Sequence, residues 1–465
     1  MKPASKVVLG VAVCVVVAAA VWTLRRNASL VALETAPLVP APPALPETNP
    51  VPDLPEVPAG AFVFDLKYRG QTGAADDVEY HSYWGFGGRE GEQSDFLKEV
   101  EKQAGKVYRV YNAVLSDRAW SAVEYEGKRI LAFYFDLNAD GKLADNERIP
   151  PTRLAGSQSV EFVTPDFRLR AGRGTDPGGE GLFRVLLRAS RYAGSGEPNF
   201  MWSPACVLEG TASINGAPAR LLLFADGFGS AFTRFGSSTC ALLVGDSAAK
   251  PGAYIPRETL SSLVRCAGQF YHVKFEGRRS SGHPARAVLT KDTSPTGTLA
   301  VKLQGKGPVP CTLGHAYLHG TDDPAVFFNV SDPADKLPVG SYALERGDLH
   351  YWGANGKEWQ VSFTDGPKAT LQADQRIEVA MGEPTLTVRA INEQDRYNRE
   401  AKESAVFKQG DRVFLEPKLL GRNREVLTRF RRSSGSGGAP TDVPPSLKIT
   451  TAEGKEVLAK TMEYG

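Results

Sequence analysis

Short apolar runs set the rhythm of this chain, and most alternate with polar residues rather than recurring at helical spacing. Trp120–Tyr125 alternates in polarity, and Lys128–Phe135 follows it as an apolar, aromatic run after the turn signal Glu126-Gly127. Similar runs occur at Phe62–Lys67, Ser159–Val163, Leu182–Leu187, Val207–Ile214, Ala219–Phe224, Phe270–Phe275 and Thr298–Leu303. They continue at Ala325–Val330, Val361–Phe363, Ile377–Val379, Leu386–Ala390, Arg412–Leu415 and Leu447–Thr450. Gly, Pro, Asn and Asp separate them, as expected of strands joined by tight turns. Asn215-Gly216 and Glu453-Gly454 read as two-residue hairpin turns.

Helical spacing appears twice. Ser94–Ala104 places Phe96, Leu97 and Val100 on one face behind a Ser94 cap, and Pro256–Cys266 carries Leu260, Leu263 and Val264 before Gly268. The expected fold class is mainly β (a β-rich α+β chain), built as several hairpin and β-sandwich-like modules.

One stretch carries specific chemistry. Asp136 to Glu147 reads D-L-N-A-D-G-K-L-A-D-N-E. Calcium takes six to eight hard oxygen ligands. Asp136, Asn138 and Asp140 stand at positions 1, 3 and 5, the Lys142 carbonyl at 7, and Glu147 at 12 as a bidentate clamp. Gly141 permits the sharp turn at position 6, and Leu143 anchors the loop. The twelve residues resemble the calcium loop of EF-hands, as found singly in exported bacterial EF-hand domain-containing proteins. The resemblance implies Ca2+ as the bound ion and these five residues as ligands. The flanks do not form a helix pair: a hairpin strand enters, and Pro150-Pro151 blocks an exit helix. A sensor needs two helices that open against each other. The loop therefore reads as a structural staple, against the plainer alternative of an acidic turn that binds nothing.

Leu131–Asp136 has an echo in Leu221–Asp226, but the ligand positions after Asp226 become Phe228 and Ser230. Cys206 and Cys240 bracket this degenerate copy, so a disulfide is one way to hold what calcium holds in the first. Leu337–Leu344 reads L-P-V-G-S-Y-A-L, a turn followed by a strand with Tyr342 and Leu344 facing a core. This run weakly resembles the late strand of carboxypeptidase regulatory-like, prealbumin-like β-sandwich modules.

At the amino end, Lys2 and Lys6 precede an apolar run from Val7 to Leu24, and Arg25-Arg26 follow. Eighteen residues at helical rise span about 27 Å, enough for the hydrocarbon layer. The run reads as a membrane anchor over residues 7–24, with a cleaved signal peptide and secretion as the alternative. Nine prolines between residues 37 and 58 make a semi-rigid spacer. The expected division is 1–30 anchor or signal, 31–60 linker, 61–200 β-rich domain with the calcium loop, 201–310 β domain with the degenerate loop, and 311–465 sandwich-like region.

A net charge of +2 implies no nucleic-acid partner. The stretch Arg389–Arg432, with twelve basic against seven acidic residues, reads as a solvated rim. Cys206, Cys240, Cys266 and Cys311 form no C-x-x-C pair, which leaves two disulfides or buried free thiols open. No nucleophile elbow, Walker loop or dinucleotide fingerprint appears. His315 and His319, four apart, share a face in a helix or a strand and suggest a metal pair, or two hydrogen-bonded histidines. His81 with Tyr80, Tyr83 and Trp84 suggests a sugar-binding surface or a buried aromatic cluster.

No catalytic or cofactor-binding residue emerges, so an enzyme is the less favoured reading. The expectation is a calcium-binding, membrane-anchored protein of the cell envelope, facing the extracytoplasmic side, that binds or scaffolds a protein or glycan ligand. The alternatives are an exported hydrolase of polysaccharide or peptide and a calcium-dependent adhesion module.

Overall fold

The computed structural model describes residues 54–70, 84–85, 107–112, 120–126, 129–135, 137, 144–154, 159–169, 181–190, 199–225, 232–245, 257–304, 311–330, 334–352, 358–382, 385–392, 412–432, 441–442, 446–450 and 453–461. The apolar run 7–24, the proline-rich linker up to residue 53, the expected helix 94–104, His81 and the degenerate loop at 226–230 lie outside these residues. The described chain is mainly β. A short 3-10 turn is formed by Asp145–Glu147. No described helix is long and apolar enough to cross a membrane. The chain divides into two compact units, Met1–Leu260 with Val273–Thr290, and Ser261–His272 with Lys291–Gly465.

The first unit is a set of antiparallel sheets. One runs in the order Val107–Asn112, Trp120–Glu126, Arg129–Phe135, Arg148–Ile149. A second has Asn199–Pro204, Val185–Ser190, Ser159–Val163 and Arg153–Leu154 as neighbours. A third runs from Glu258–Thr259 through Thr239–Val244, Ala217–Phe224 and Cys206–Ile214 to Lys67–Gly70. Its Ala217–Phe224 strand buries residues of both parities: Leu222 and Phe224 pack with Val207 and Ala241, while Leu221 and Leu223 are also buried. A strand covered on both faces reads as a continuous apolar run, hence L-L-L-F. Asn215 (φ +51°) and Gly216 (φ +83°) make the expected turn, because a two-residue hairpin of this type needs positive φ at both positions.

The second unit is sandwich-like. A three-stranded sheet, Ala334–Pro338, Thr296–Gln304 and Arg376–Gly382, packs on a nine-stranded one. The larger sheet centres on Cys311–Gly320, Gly340–Trp352 and Glu358–Thr364. Leu299, Val301, Leu337, Val379 and Met381 from the smaller sheet share a core with Leu318, Leu344, Leu349, Val361 and Phe363 from the larger. Each such side chain contributes about 1.5–3 kcal/mol on burial. Tyr342 and Leu344 face this core as the L-P-V-G-S-Y-A-L pattern implies, and the Tyr342 hydroxyl donates to the Pro338 carbonyl at 2.8 Å, closing the corner.

The expected helix Pro256–Cys266 is not formed by its described residues. Glu258–Thr259 pairs with Thr239–Cys240, and Leu263–Cys266 is a strand turned back on Gln269–His272. Ala267 (φ +47°) and Gly268 (φ +76°) form a hairpin turn, so Gly268 ends a strand rather than a helix. The Ser261 hydroxyl accepts the Leu263 and Phe327 amides, drawing the backbone away from helical bonding.

The four cysteines after the apolar run are free thiols. The proposed Cys206–Cys240 bridge is not made, for a topological reason. Cys206 and Cys240 lie on strands that flank Ala217–Phe224 on opposite sides. Two inter-strand steps separate them by about 9–10 Å, beyond the roughly 7 Å between Cα atoms that a disulfide can span.

Candidate metal centre

The calcium-type loop connects two neighbouring strands of the first sheet. Arg129–Phe135 pairs on one side with Trp120–Glu126 and on the other with Arg148–Ile149, with Phe133 opposite Ile149 and Tyr134 opposite Arg148. Ile130, Ala132, Phe133, Tyr134 and Phe135 are all buried, so the entering strand is anchored at almost every residue. The Asp145–Glu147 turn, closed by the Glu147 amide on the Ala144 carbonyl at 2.9 Å, delivers the chain into the exit strand.

Glu147 is 1 % exposed, and its two carboxylate oxygens are used separately. Oε1 accepts the Leu137 amide at 2.9 Å, and Oε2 accepts the Ala144 amide at 3.0 Å. The carboxylate thus ties loop position 2 to position 9. A carboxylate oxygen has two lone-pair directions, so accepting an N–H does not by itself bar a carboxylate from also facing a cation. The chemistry of Glu147 fits a bidentate calcium ligand, and it fits an amide latch that needs no ion. Asp136, Asn138, Asp140 and Lys142 lie outside the described residues. Among the described residues no group of three or more His, Cys, Asp or Glu side chains is placed to hold a metal.

Directly after the loop, Arg148 donates from Nε to Glu124 Oε2 at 2.9 Å, and Glu124 is fully buried. Burial works against the Arg148 charge, but Glu124 and Tyr134 outweigh it and hold the guanidinium above its ordinary range. A second ladder of this kind centres on Glu161, opposite Arg153 on one strand and Arg188 on the other, and bonded to both. Burial would raise the Glu161 carboxyl, but the two arginines prevail and lower it.

A third buried polar group is closed by residues distant in sequence. Asp166 and Arg184 form an ion pair at 2.9 Å with no solvent exposure on either side chain. Tyr68, 98 residues from Asp166, donates its hydroxyl to the same Asp166 oxygen at 2.7 Å. Burial, then Cys206 and Asp166, push the Tyr68 phenol well above its usual range. Cys206 bonds the Arg184 backbone, and burial pushes its thiol up to about 12. Such a thiol is not a nucleophile at neutral pH. Sequence reading missed these networks because arginines and acids on short strands give no local sign of their partners.

In the second unit His315 and His319 do not act as a pair. His315 Nδ1 lies 3.2 Å from Asp348 Oδ2, while the His319 ring packs 6.3 Å from that of Phe327. Ser362 Oγ donates to Asp348 Oδ1 at 2.6 Å. The order is Ser–Asp–His, with the acid between the hydroxyl and the imidazole. Nucleophile activation requires the imidazole in the middle, so this ladder is a cross-strand polar row of His315, Asp348 and Ser362.

Comparison with protein-family models, with curated proteins and with solved structures returns no match for the chain.

Proposed function

We propose that the protein is a calcium-stapled β-domain protein of the cell envelope, held at the membrane through residues 7–24 and raised by its proline-rich spacer. Its role is binding or scaffolding of a protein or glycan ligand, and calcium is structural. The observation that carries the reading is the seat of Glu147. Its carboxylate is buried, faces back across the loop, and ties Leu137 to Ala144 after a strand that is buried at most of its residues. A ligand already oriented this way loses little freedom when an ion arrives. The loop joins adjacent antiparallel strands, so gripping it stabilises the sheet edge without moving a helix, which suits a staple and not a sensor.

Thermal melts of the full chain with millimolar calcium and with chelator test this. A weak site with Kd on the order of 10⁻⁴ to 10⁻³ M predicts a gain of about 0.4–1.4 kcal/mol at 1 mM calcium. Equal melts in calcium and chelator, for the wild-type chain and for Asp136→Ala, would refute the staple. Fractionation with sequencing of the mature amino terminus tests the anchor: a product beginning after residue 20 would favour secretion. Neither experiment depends on the other.

A further inference from the structure

We propose that the segment Gly277–Ala285 is an acid-released latch, pinned to the first unit at neutral pH by the neutral imidazole of His283. This is independent of the calcium reading. The segment leaves strand Gln269–Glu276 and returns into Arg286–Lys291. On the way it lays a short ladder on the strand Gly181–Phe183. The Leu182 amide donates to the Ser281 carbonyl at 2.7 Å, and His283 Nε2 meets the Leu182 carbonyl at 2.7 Å. One of these two bonds is backbone to backbone; the other depends on an ionisable ring.

The ring is enclosed on every side. It stacks on Tyr68 at 5.6 Å and 14°, and meets Phe232 edge-on at 4.8 Å. Gly181 lies against its third side, where a Cβ would come within 2.6 Å of Cε1. His283 is 4 % exposed. A carbonyl acceptor requires Nε2 to carry the proton, so a second proton must go to Nδ1 inside this packing.

Among the described residues no opposite charge stands ready to meet it. The segment itself contributes Arg278 and Arg279, and the neighbouring strand Phe167–Leu169 contributes Arg168, whose guanidinium bonds the Ser280 carbonyl at 2.9 Å. Arg279 is paired with Asp65, so that carboxylate is engaged. Behind Tyr68, Asp166 is engaged by Tyr68 and Arg184. The loop after Phe232 adds Arg234. Burial first, and then Arg278 and Arg168, bring the imidazole from 6.5 down to about 4, against the opposing bond to Leu182. The closed latch therefore binds fewer protons than the open one between those two values. Its closure is complete above pH 6.5 and is lost as pH falls toward 4.

Hydrogen exchange of the full chain, corrected for intrinsic rates, reads the latch at the Leu182, Arg279 and Gly282 amides, all bonded within this structure. Between pH 7.5 and pH 5 the two proton affinities predict about a thirtyfold rise in opening of these amides. The amides of the second unit serve as the internal reference. His283→Gln keeps a side-chain amide donor that does not titrate in this range. In that variant the rise should fall to less than threefold. If His283→Gln does not fold, the His283 ring proton of the wild-type chain is followed by NMR. An imidazole that titrates near 6.5 with Leu182 still protected overturns the proposal. So does an equal acid response in His283→Gln, or an opening that coincides with loss of all protection in the first unit.

Discussion

Asp166 and Arg184 face each other at 2.9 Å in a part of the first unit that solvent does not reach. Two charges removed from water cost several kcal/mol each, offset only while both are present and their remaining hydrogen bonds are made. Tyr68 supplies one of those bonds, and a Cβ at Gly70 would come within 3.0 Å of Asp166 Oδ1, so the room around the pair is closely shaped.

Removing one partner should therefore be far worse than removing both. Asp166→Asn or Arg184→Met alone should lower stability by about 3–5 kcal/mol. Asp166→Asn combined with Arg184→Met should cost clearly less than the sum of the two singles. Tyr68→Phe should cost about 1 kcal/mol. Urea denaturation of the four variants measures this; additive singles and double would contradict the pairing.

The two ways of damaging the calcium-type loop should separate. Asp136→Ala removes a proposed ligand and should abolish the calcium gain while leaving the melt in chelator within about 0.5 kcal/mol. Glu147→Gln replaces one acceptor oxygen by an NH2 group facing an amide N–H at Leu137 or Ala144. It should lose the calcium gain and, in chelator, a further 1–3 kcal/mol or so for the unmatched buried amide. Melts of both variants in both buffers give the comparison.

The thiols should be slow. Burial pushes Cys206 and Cys240 to about 12 and Cys311 to about 11, and raises Cys266. At pH 8 a maleimide should label none of these four appreciably within minutes in native buffer and all of them in denaturant. Intact mass without reductant should show no two-dalton loss. A Cys206–Cys240 peptide pair recovered from non-reducing digestion would overturn the strand order of that sheet.

Gly347 sits opposite Ala316 where strand Cys311–Gly320 lies close to strand Gly340–Trp352, between two register shifts. A Cβ there would collide with the His315 carbonyl and would lie within 2.8 Å of the Ala316 Cα. Backbone cannot step aside as a side chain can, so Gly347→Ala should cost about 3 kcal/mol, at the upper end of overpacking penalties. Gly454→Ala, at a hairpin turn with φ +83° and open space for a Cβ, should cost less, about 1 kcal/mol for the left-handed backbone alone. Denaturant midpoints of the two variants rank them.

Much of the strand content was legible because alternation and turn residues are local. Ser159–Val163 falls where its pattern ends, and the Asn215-Gly216 turn joins the two strands it punctuates. Leu260, Leu263 and Val264 misled because an apolar spacing of three and four suits a helix face and two short strands equally. The turn at Ala267-Gly268 and the Ser261 hydroxyl decided between them.

By itself the sequence determined the β character, the hairpin turns, the strand with Tyr342 and Leu344 facing a core, and a twelve-residue run whose spacing suits a hard cation. These depend on neighbours within a few bonds along the chain. Only the tertiary structure decided that Cys206 and Cys240 stand two strands apart, that His315 belongs to Asp348, and that Tyr68, Asp166, Arg184 and His283 gather in one buried region. Those pairings depend on strand order and on which face each residue meets, and a strand's own residues do not encode which strand will lie beside it.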